Sequence, residues 1–69
     1  MNSPTAEQVA AARKNVGQTQ EQAIAMVRGN TAQSWRNWEK GKQQMPLGLW
    51  ELYLIKTGQV DQFKETLND

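Results

Sequence analysis

The sequence contains no cysteine and no histidine among its 69 residues. A chain of this length buries only about 60% of the surface that it exposes when unfolded, so small domains often depend on disulfides, metals or partners. The missing side chains exclude disulfides and an ordinary zinc site. Helix packing and self-association remain as sources of stability, and we expect no metal and no cofactor.

Long apolar runs are also missing, and the first residues, MNSPTAEQ, lack the basic and apolar parts of a signal peptide. We therefore expect a soluble cytoplasmic protein with no membrane partner. Catalytic features are equally scarce, because there is no notable carboxylate pair, no phosphate-binding loop and no dinucleotide fingerprint. We expect no enzymatic activity.

The net charge of +1 hides an uneven distribution. The stretch 28–42 has four cations and one anion, a local excess of three: Arg28, Arg36, Lys40 and Lys42 against Glu39. The rest of the chain has four cations and six anions. A basic face on a mildly acidic body suits a protein that presents one side to a phosphate backbone, although a solvated helix could carry the same charges.

Capping residues and apolar spacing predict an all-α fold, a compact bundle of five short helices. Thr5 with Gln8, and Thr19 with Gln22, have the spacing of capping boxes for the first and second helices. The first helix should end at Gly17. The inward residues are expected to be Val9, Ala12 and Val16 in the first helix and Ala23, Ile24 and Val27 in the second.

The third helix is predicted over residues 32–40, with Thr31 as its cap and Gly41 as its end. Trp35 must point inward, with Trp38 one turn further along and partly exposed. Glu39 is expected to form an ion pair within the domain, for example with Arg13 of the first helix.

Pro46 suits the first turn of a fourth helix over 47–57, which should end at Gly58. This helix is apolar on more than one side, and a short fifth helix follows with Val60, Phe63 and Leu67 at helical spacing. The excess of apolar positions implies a second buried surface, most simply a dimer partner contacting residues 47–69.

The second and third helix signatures are separated only by the turn dipeptide Gly29-Asn30. Two helices joined so tightly should cross steeply, which projects the second one outward from the domain. We therefore predict one domain over 1–69 with a helix-turn-helix at about 19–40, the geometry with which proteins place a helix in the DNA major groove.

The segments TQEQA, SWRNWEKG and MP…LWELYLIKTG resemble the lambda repressor/Cro-like (XRE-type) helix-turn-helix superfamily, and within it small phage and anti-CRISPR-associated regulators. The resemblance covers roughly residues 9–58. One departure is that the chain is one residue longer than the commonest pattern between Gln20 and Trp38. In addition, Arg28-Gly29-Asn30 replaces the usual turn.

With Trp35 inward, a third helix lying in the major groove would present a polar set to the base edges: Ala32, Gln33, Ser34, Arg36 and Asn37. Gln33 and Asn37 can each pair with adenine, Arg36 with guanine or a phosphate, and the Ala32 methyl with a thymine methyl. Each good contact would discriminate by roughly 1–3 kcal/mol. Taken alone, such a helix could also be a polar solvent face.

A second set is expected at the phosphates: Gln20, Thr31, Lys40, Lys42, Gln43 and Gln44. The resulting prediction is a small repressor that binds double-stranded operator DNA as a homodimer on an inverted repeat, with no small-molecule effector. One alternative stays open: the chain could be an antitoxin-like or phage-inhibitor protein-binding module on this scaffold. Tryptophans among basic residues can also stack single-stranded bases, but the helical spacing of Trp35 and Trp38 and the apolar helix around Trp50 favour a place in the core for all three.

Overall fold

A computed structural model describes residues 3–27 and 31–67, and these residues form five helices without strands. In chain order the helices are α1 (Ala6–Asn15), α2 (Gln20–Ala25), α3 (Ala32–Lys40), α4 (Leu47–Thr57) and α5 (Lys64–Leu67). The predicted all-α class is confirmed, as are the bounds of the third and fourth helices. Within the described ranges, no helix is long and apolar enough to cross a membrane.

Both predicted capping boxes are present. The Thr5 hydroxyl accepts from the Gln8 backbone N–H at 3.1 Å, and the Gln8 side chain accepts from the Thr5 backbone N–H at 2.8 Å. Thr19 and Gln22 make the same reciprocal pair at 3.1 and 2.9 Å. Each box satisfies two backbone donors that the first turn of a helix leaves without partners, which fixes where α1 and α2 begin.

Glycines end α3 and α4, as predicted. Gly41 and Gly58 adopt φ values of 77° and 71°, in the left-handed region that favours glycine. The next residue then donates back into the last helical turn: Lys42 N–H to the Asn37 carbonyl at 3.0 Å, and Gln59 N–H to the Leu54 carbonyl at 2.8 Å.

A core of aromatic rings lies between α1, α3 and α4. Trp35, Trp50 and Tyr53 are fully buried, and the ring centroid of Trp35 lies 4.9 Å from that of Tyr53 and 5.5 Å from that of Trp38. The inward orientation predicted for Trp35 is therefore confirmed. The core is completed by smaller apolar residues of α1, α2, α4 and the segments that follow α2 and α3: Val9, Ala12, Ala23, Ile24, Val27, Met45 and Leu54.

Two positions at helix ends differ from the sequence-based expectation. Val16 is 39% exposed, because α1 ends at Asn15 and Val16 no longer follows the helical period before the turn at Gly17. Pro46 precedes the first turn of α4 as its N-cap, with φ −56° and ψ 136°, so the helix begins at Leu47.

The carboxyl-terminal segment is less helical than predicted, because residues 60–63 form turns and only Lys64–Leu67 is α-helical. It nevertheless packs on α4. The Trp50 indole N–H donates to the Thr66 hydroxyl at 2.7 Å, and the Phe63 ring meets Trp50 edge-on with centroids 5.3 Å apart. This contact covers part of the second apolar side of α4, from which a partner was predicted.

A buried amide, which no sequence motif indicates, joins the end of α4 to the end of α1. Gln59 is 3% exposed, and its Nε2 donates to the Ala12 carbonyl and to the Thr57 hydroxyl, both at 2.9 Å. Its Oε1 accepts from Asn15 Nδ2 at 3.2 Å. Buried polar groups are stable only when they are hydrogen-bonded, and this amide is paired on both sides.

Candidate nucleic-acid interface

Glu39 of α3 joins three helices through its carboxylate. Arg13 of α1 donates to it from Nε at 2.6 Å and from Nη2 at 3.1 Å. The Trp35 indole N–H donates at 2.5 Å from within α3, and Gln20 Nε2 of α2 donates at 3.3 Å. The pairing with Arg13 was expected from the sequence, whereas the bonds from Trp35 and Gln20 were not.

Burial and hydrogen bonding act in opposite directions on the pKa of Glu39. Desolvation raises this pKa, but the hydrogen bonds from Arg13, Trp35 and Gln20 together outweigh desolvation, so the pKa lies below its ordinary value. The same hydrogen bond between Arg13 and Glu39 raises the pKa of Arg13, because it stabilises the charged guanidinium. The Glu39 side chain is only 11% exposed, so its negative charge is paired inside the domain and away from the surface of α3.

The opposite side of α3 has four polar side chains at helical spacing: Gln33, Arg36, Asn37 and Lys40. We call this set the outer face of α3. Gln33 and Lys40 are exposed, whereas Arg36 and Asn37 are half-buried. The charged members of the outer face are the cations Arg36 and Lys40, because Glu39 lies toward the inner side of the helix, where it pairs with Arg13.

Arg36 is held by two residues of α2. Its Nε donates to Gln20 Oε1 at 3.2 Å, and its Nη2 donates to Glu21 Oε2 at 3.0 Å. Gln20, predicted as a phosphate contact, therefore uses its amide to link Glu39 to Arg36. Sequence reasoning missed Glu21. Opposite charges on two adjacent helices were a signal for it, but only the packing of α2 on α3 shows which carboxylate meets which cation.

Gln33 and Asn37 are joined on the outer face by a hydrogen bond of 3.1 Å from Gln33 Nε2 to Asn37 Oδ1. Asn37 Oδ1 thereby accepts one bond, while Asn37 Nδ2 and Gln33 Oε1 have no hydrogen-bond partner among the described residues. The bond uses one of the two Gln33 Nε2 donors and one of the two acceptor positions of Asn37 Oδ1, so both amides keep donor and acceptor groups for the predicted pairing with adenine.

The other predicted contact residues are distributed around the outer face. Lys42, Gln43 and Gln44 are exposed in the loop after α3, and Thr31 is exposed at its start. The Thr31 hydroxyl accepts from the Ser34 backbone N–H at 3.4 Å as the helix cap. Ser34 is half-buried. Ala32 was expected to point outward, but it packs against the core, because its position in the first turn of α3 faces the buried side.

All three tryptophans are buried, with Trp35 and Trp50 at 0% exposure and Trp38 at 4%. The partial exposure expected for Trp38 is wrong, because its ring packs against Trp35. A base can stack only on an aromatic face that is open to it. The tryptophans therefore form the core and offer no platform for single-stranded bases.

The predicted turn Arg28-Gly29-Asn30 lies outside the described residues, so the local charge of Arg28 is not placed. In the part of the chain that the structure describes, no cluster of acidic side chains could hold a metal ion. No protein-family model matches the sequence, and the search of curated proteins gives no match. The fold and site define a small all-helical domain with a polar, net-basic helix face.

Proposed function

We propose that this protein is a sequence-specific, double-stranded DNA-binding regulator of the lambda repressor/Cro-like helix-turn-helix type. In this proposal α2 and α3 form the helix-turn-helix, and α3 enters the major groove with its outer face toward the bases. The regulator acts as a small repressor that occupies an inverted-repeat operator and excludes polymerase.

The observation that carries the proposal is the two-sided character of α3. Two buried tryptophans form its inner side, and Gln33, Arg36, Asn37 and Lys40 form its outer side. The acidic residue of this segment, Glu39, is paired with Arg13. A helix with one anchored side and one polar, positively charged side has the character of a recognition helix.

The hydrogen-bonding groups on this face match base edges in the major groove. Free N–H groups of Arg36 can donate to guanine O6 and N7, and the Gln33 carbonyl can accept from the adenine amino group. Lys40 and Lys42 are exposed beside them and can neutralise phosphates, which adds affinity without sequence choice.

A homodimer is part of the proposal, with α4 as the contact between the two copies. Leu47, Leu49 and Leu52 are half-buried, and Ile55 is 59% exposed, which makes it the most exposed large apolar side chain among the described residues. Because Ile55 contributes little to the core, Ile55→Lys should leave the fold intact. The variant should bind single half-sites normally and lose cooperative binding to an inverted repeat.

The decisive experiment is selection of binding sites from random duplexes with the purified protein at two salt concentrations. We expect enrichment of an inverted repeat whose half-sites lie about 34 Å apart, one turn of DNA. Affinity should fall as salt rises, because counterions are released on binding. A protein that binds no duplex even at low salt would overturn the proposal and would favour the protein-binding alternative.

A further inference from the structure

Glu21 places a negative charge beside the surface that the proposed function turns toward DNA. Its carboxylate is 66% exposed and lies 3.0 Å from Arg36 Nη2. An exposed carboxylate at this position repels phosphate, so it opposes non-specific binding to DNA. Since Arg36 is also 38% exposed, the ion pair adds little to the stability of the fold.

The geometric effect of Glu21 is to fix the guanidinium of Arg36 together with Gln20. Gln20 accepts from Nε and Glu21 accepts from Nη2, so two of the five N–H groups are occupied. Among the described residues, no acceptor bonds to the two N–H groups of Nη1 or to the second N–H of Nη2. One N–H of Nη1 and one N–H of Nη2 point the same way from the end of the guanidinium, and this pair of donors can bind guanine O6 and N7 in a bidentate way.

The electrostatic effect acts in the same direction. Binding to phosphate depends on the net positive charge that a side chain brings to the backbone, and Glu21 offsets the charge of Arg36. Pairing with guanine depends on directed hydrogen bonds to two neutral acceptors, which the fixed guanidinium retains. Glu21 therefore weakens the binding of Arg36 to phosphate and keeps the Arg36 guanidinium oriented for pairing with guanine.

We infer that Glu21 is a specificity-determining positioning residue, which directs Arg36 toward guanine and away from the phosphate backbone. The inference rests on the proposed DNA-binding function and extends it to a residue on α2 that need not touch a base. Specificity at this site is then the difference between the affinity for the selected sequence and the affinity for random DNA, and Glu21 increases it by lowering the affinity for random DNA.

The test compares two variants that change the charge equally. Glu21→Gln removes the charge and keeps a side-chain oxygen near Arg36, whereas Glu21→Ala removes both. Affinities are measured for the selected site, for the same site with its guanines replaced one at a time, and for a random duplex. Glu51→Gln is the matched control, because Glu51 is an exposed carboxylate on α4.

Both Glu21 variants should bind random duplex roughly two- to fivefold more tightly, as expected for release of an exposed ion pair. Their salt dependence should steepen by about one unit of log affinity per log salt. Glu21→Ala should also lose roughly tenfold of its preference for guanine at one position, and Glu21→Gln less. The Glu51→Gln control should leave the affinity for random duplex, the salt dependence and the preference for guanine nearly unchanged.

A double-mutant cycle separates positioning from a general effect on folding or charge. In an Arg36→Ala background, Glu21→Ala should no longer change the preference for guanine, and helicity and melting temperature should match those of the parent. If the loss persists without Arg36, or if both Glu21 variants retain full selectivity, the role of Glu21 is overturned while the DNA-binding function stands. A wild-type protein that binds no duplex overturns both.

Discussion

The indole N–H of Trp35 donates to the carboxylate of Glu39 at 2.5 Å, one turn further along α3. The same carboxylate accepts hydrogen bonds from Arg13 of α1 and Gln20 of α2. The buried ring and the ion pair therefore fix the rotation of α3 about its own axis. Because this rotation decides which side chains face outward, the core and the proposed DNA-binding face depend on the same group.

Replacing Glu39 with Gln should destabilise the domain by about 1.5–3 kcal/mol, the range for hydrogen bonds to a charged group. The variant removes the ionic partner of Arg13 while nearly preserving side-chain shape. Chemical denaturation monitored by helicity gives the free energy of unfolding, with Glu51→Gln as the exposed control. Equal stabilities of the two variants would show that the Glu39 cluster does not hold the helices together.

The same carboxylate should make stability fall in acid. The folded pKa of Glu39 lies below its ordinary value of 4.5, so the unfolded chain takes up the proton first as pH falls. The stabilisation is present above about pH 4.5 and is lost as pH falls through the folded pKa. The difference in unfolding free energy between wild type and Glu39→Gln should therefore shrink below about pH 4.5. A constant difference would contradict the lowered pKa.

The buried, protonated phenol of Tyr53 should stabilise the folded state up to alkaline pH. Burial is the largest cause that raises its pKa, from 10.0 to about 12, so the unfolded chain loses this proton first as pH rises. The stabilisation is complete below pH 10 and is lost between about pH 10 and about pH 12. Tyr53 is the only tyrosine of the chain, so absorbance of its ionised form follows this group alone. Titration of the folded protein near 10 would refute the shift.

Replacing Thr66 with Val should cost about 1–3 kcal/mol, because the buried Trp50 indole N–H loses its acceptor. The change also removes the bond from the Thr66 hydroxyl to the Phe63 carbonyl, of 2.6 Å. A cycle with Trp50→Phe isolates the indole contact. In the Trp50→Phe background the cost of Thr66→Val should be smaller, and an unchanged cost would mean that this bond does not hold the carboxyl-terminal segment on α4.

Arg36 and Lys42 should affect DNA binding in different ways under the proposed function. Arg36→Ala should abolish preference for one guanine, because it removes a base contact worth roughly 1–3 kcal/mol. Lys42→Ala should weaken binding to all sequences about equally and lower the salt dependence by about one unit. Lys56→Ala, an exposed cation on α4, is the matched control. Unchanged selectivity in Arg36→Ala would remove Arg36 from the base-reading set.

Local signals predicted much of the fold. Three correct predictions depend only on residues within a few positions of one another. They are the two capping boxes, the left-handed glycines Gly41 and Gly58, and the inward orientation of Trp35. The errors fell near helix ends, where the helical period stops, and at the margins of the buried side of α3, where packing decides how much of a side chain is exposed. Val16 is exposed and residues 60–63 form turns, whereas Trp38 is buried and Ala32 packs against the core.

The amino-acid sequence by itself determined where the longer helices begin and end and which side of α3 is buried, because capping and apolar periodicity act within one helix. The sequence suggested one long-range partner, Arg13 for Glu39, across 26 positions. Only the tertiary structure decided the other polar partners, such as Gln20 for Glu39 across 19 positions and Glu21 for Arg36 across 15. Such pairs form when helices pack, because no local period encodes the distance between groups on different helices.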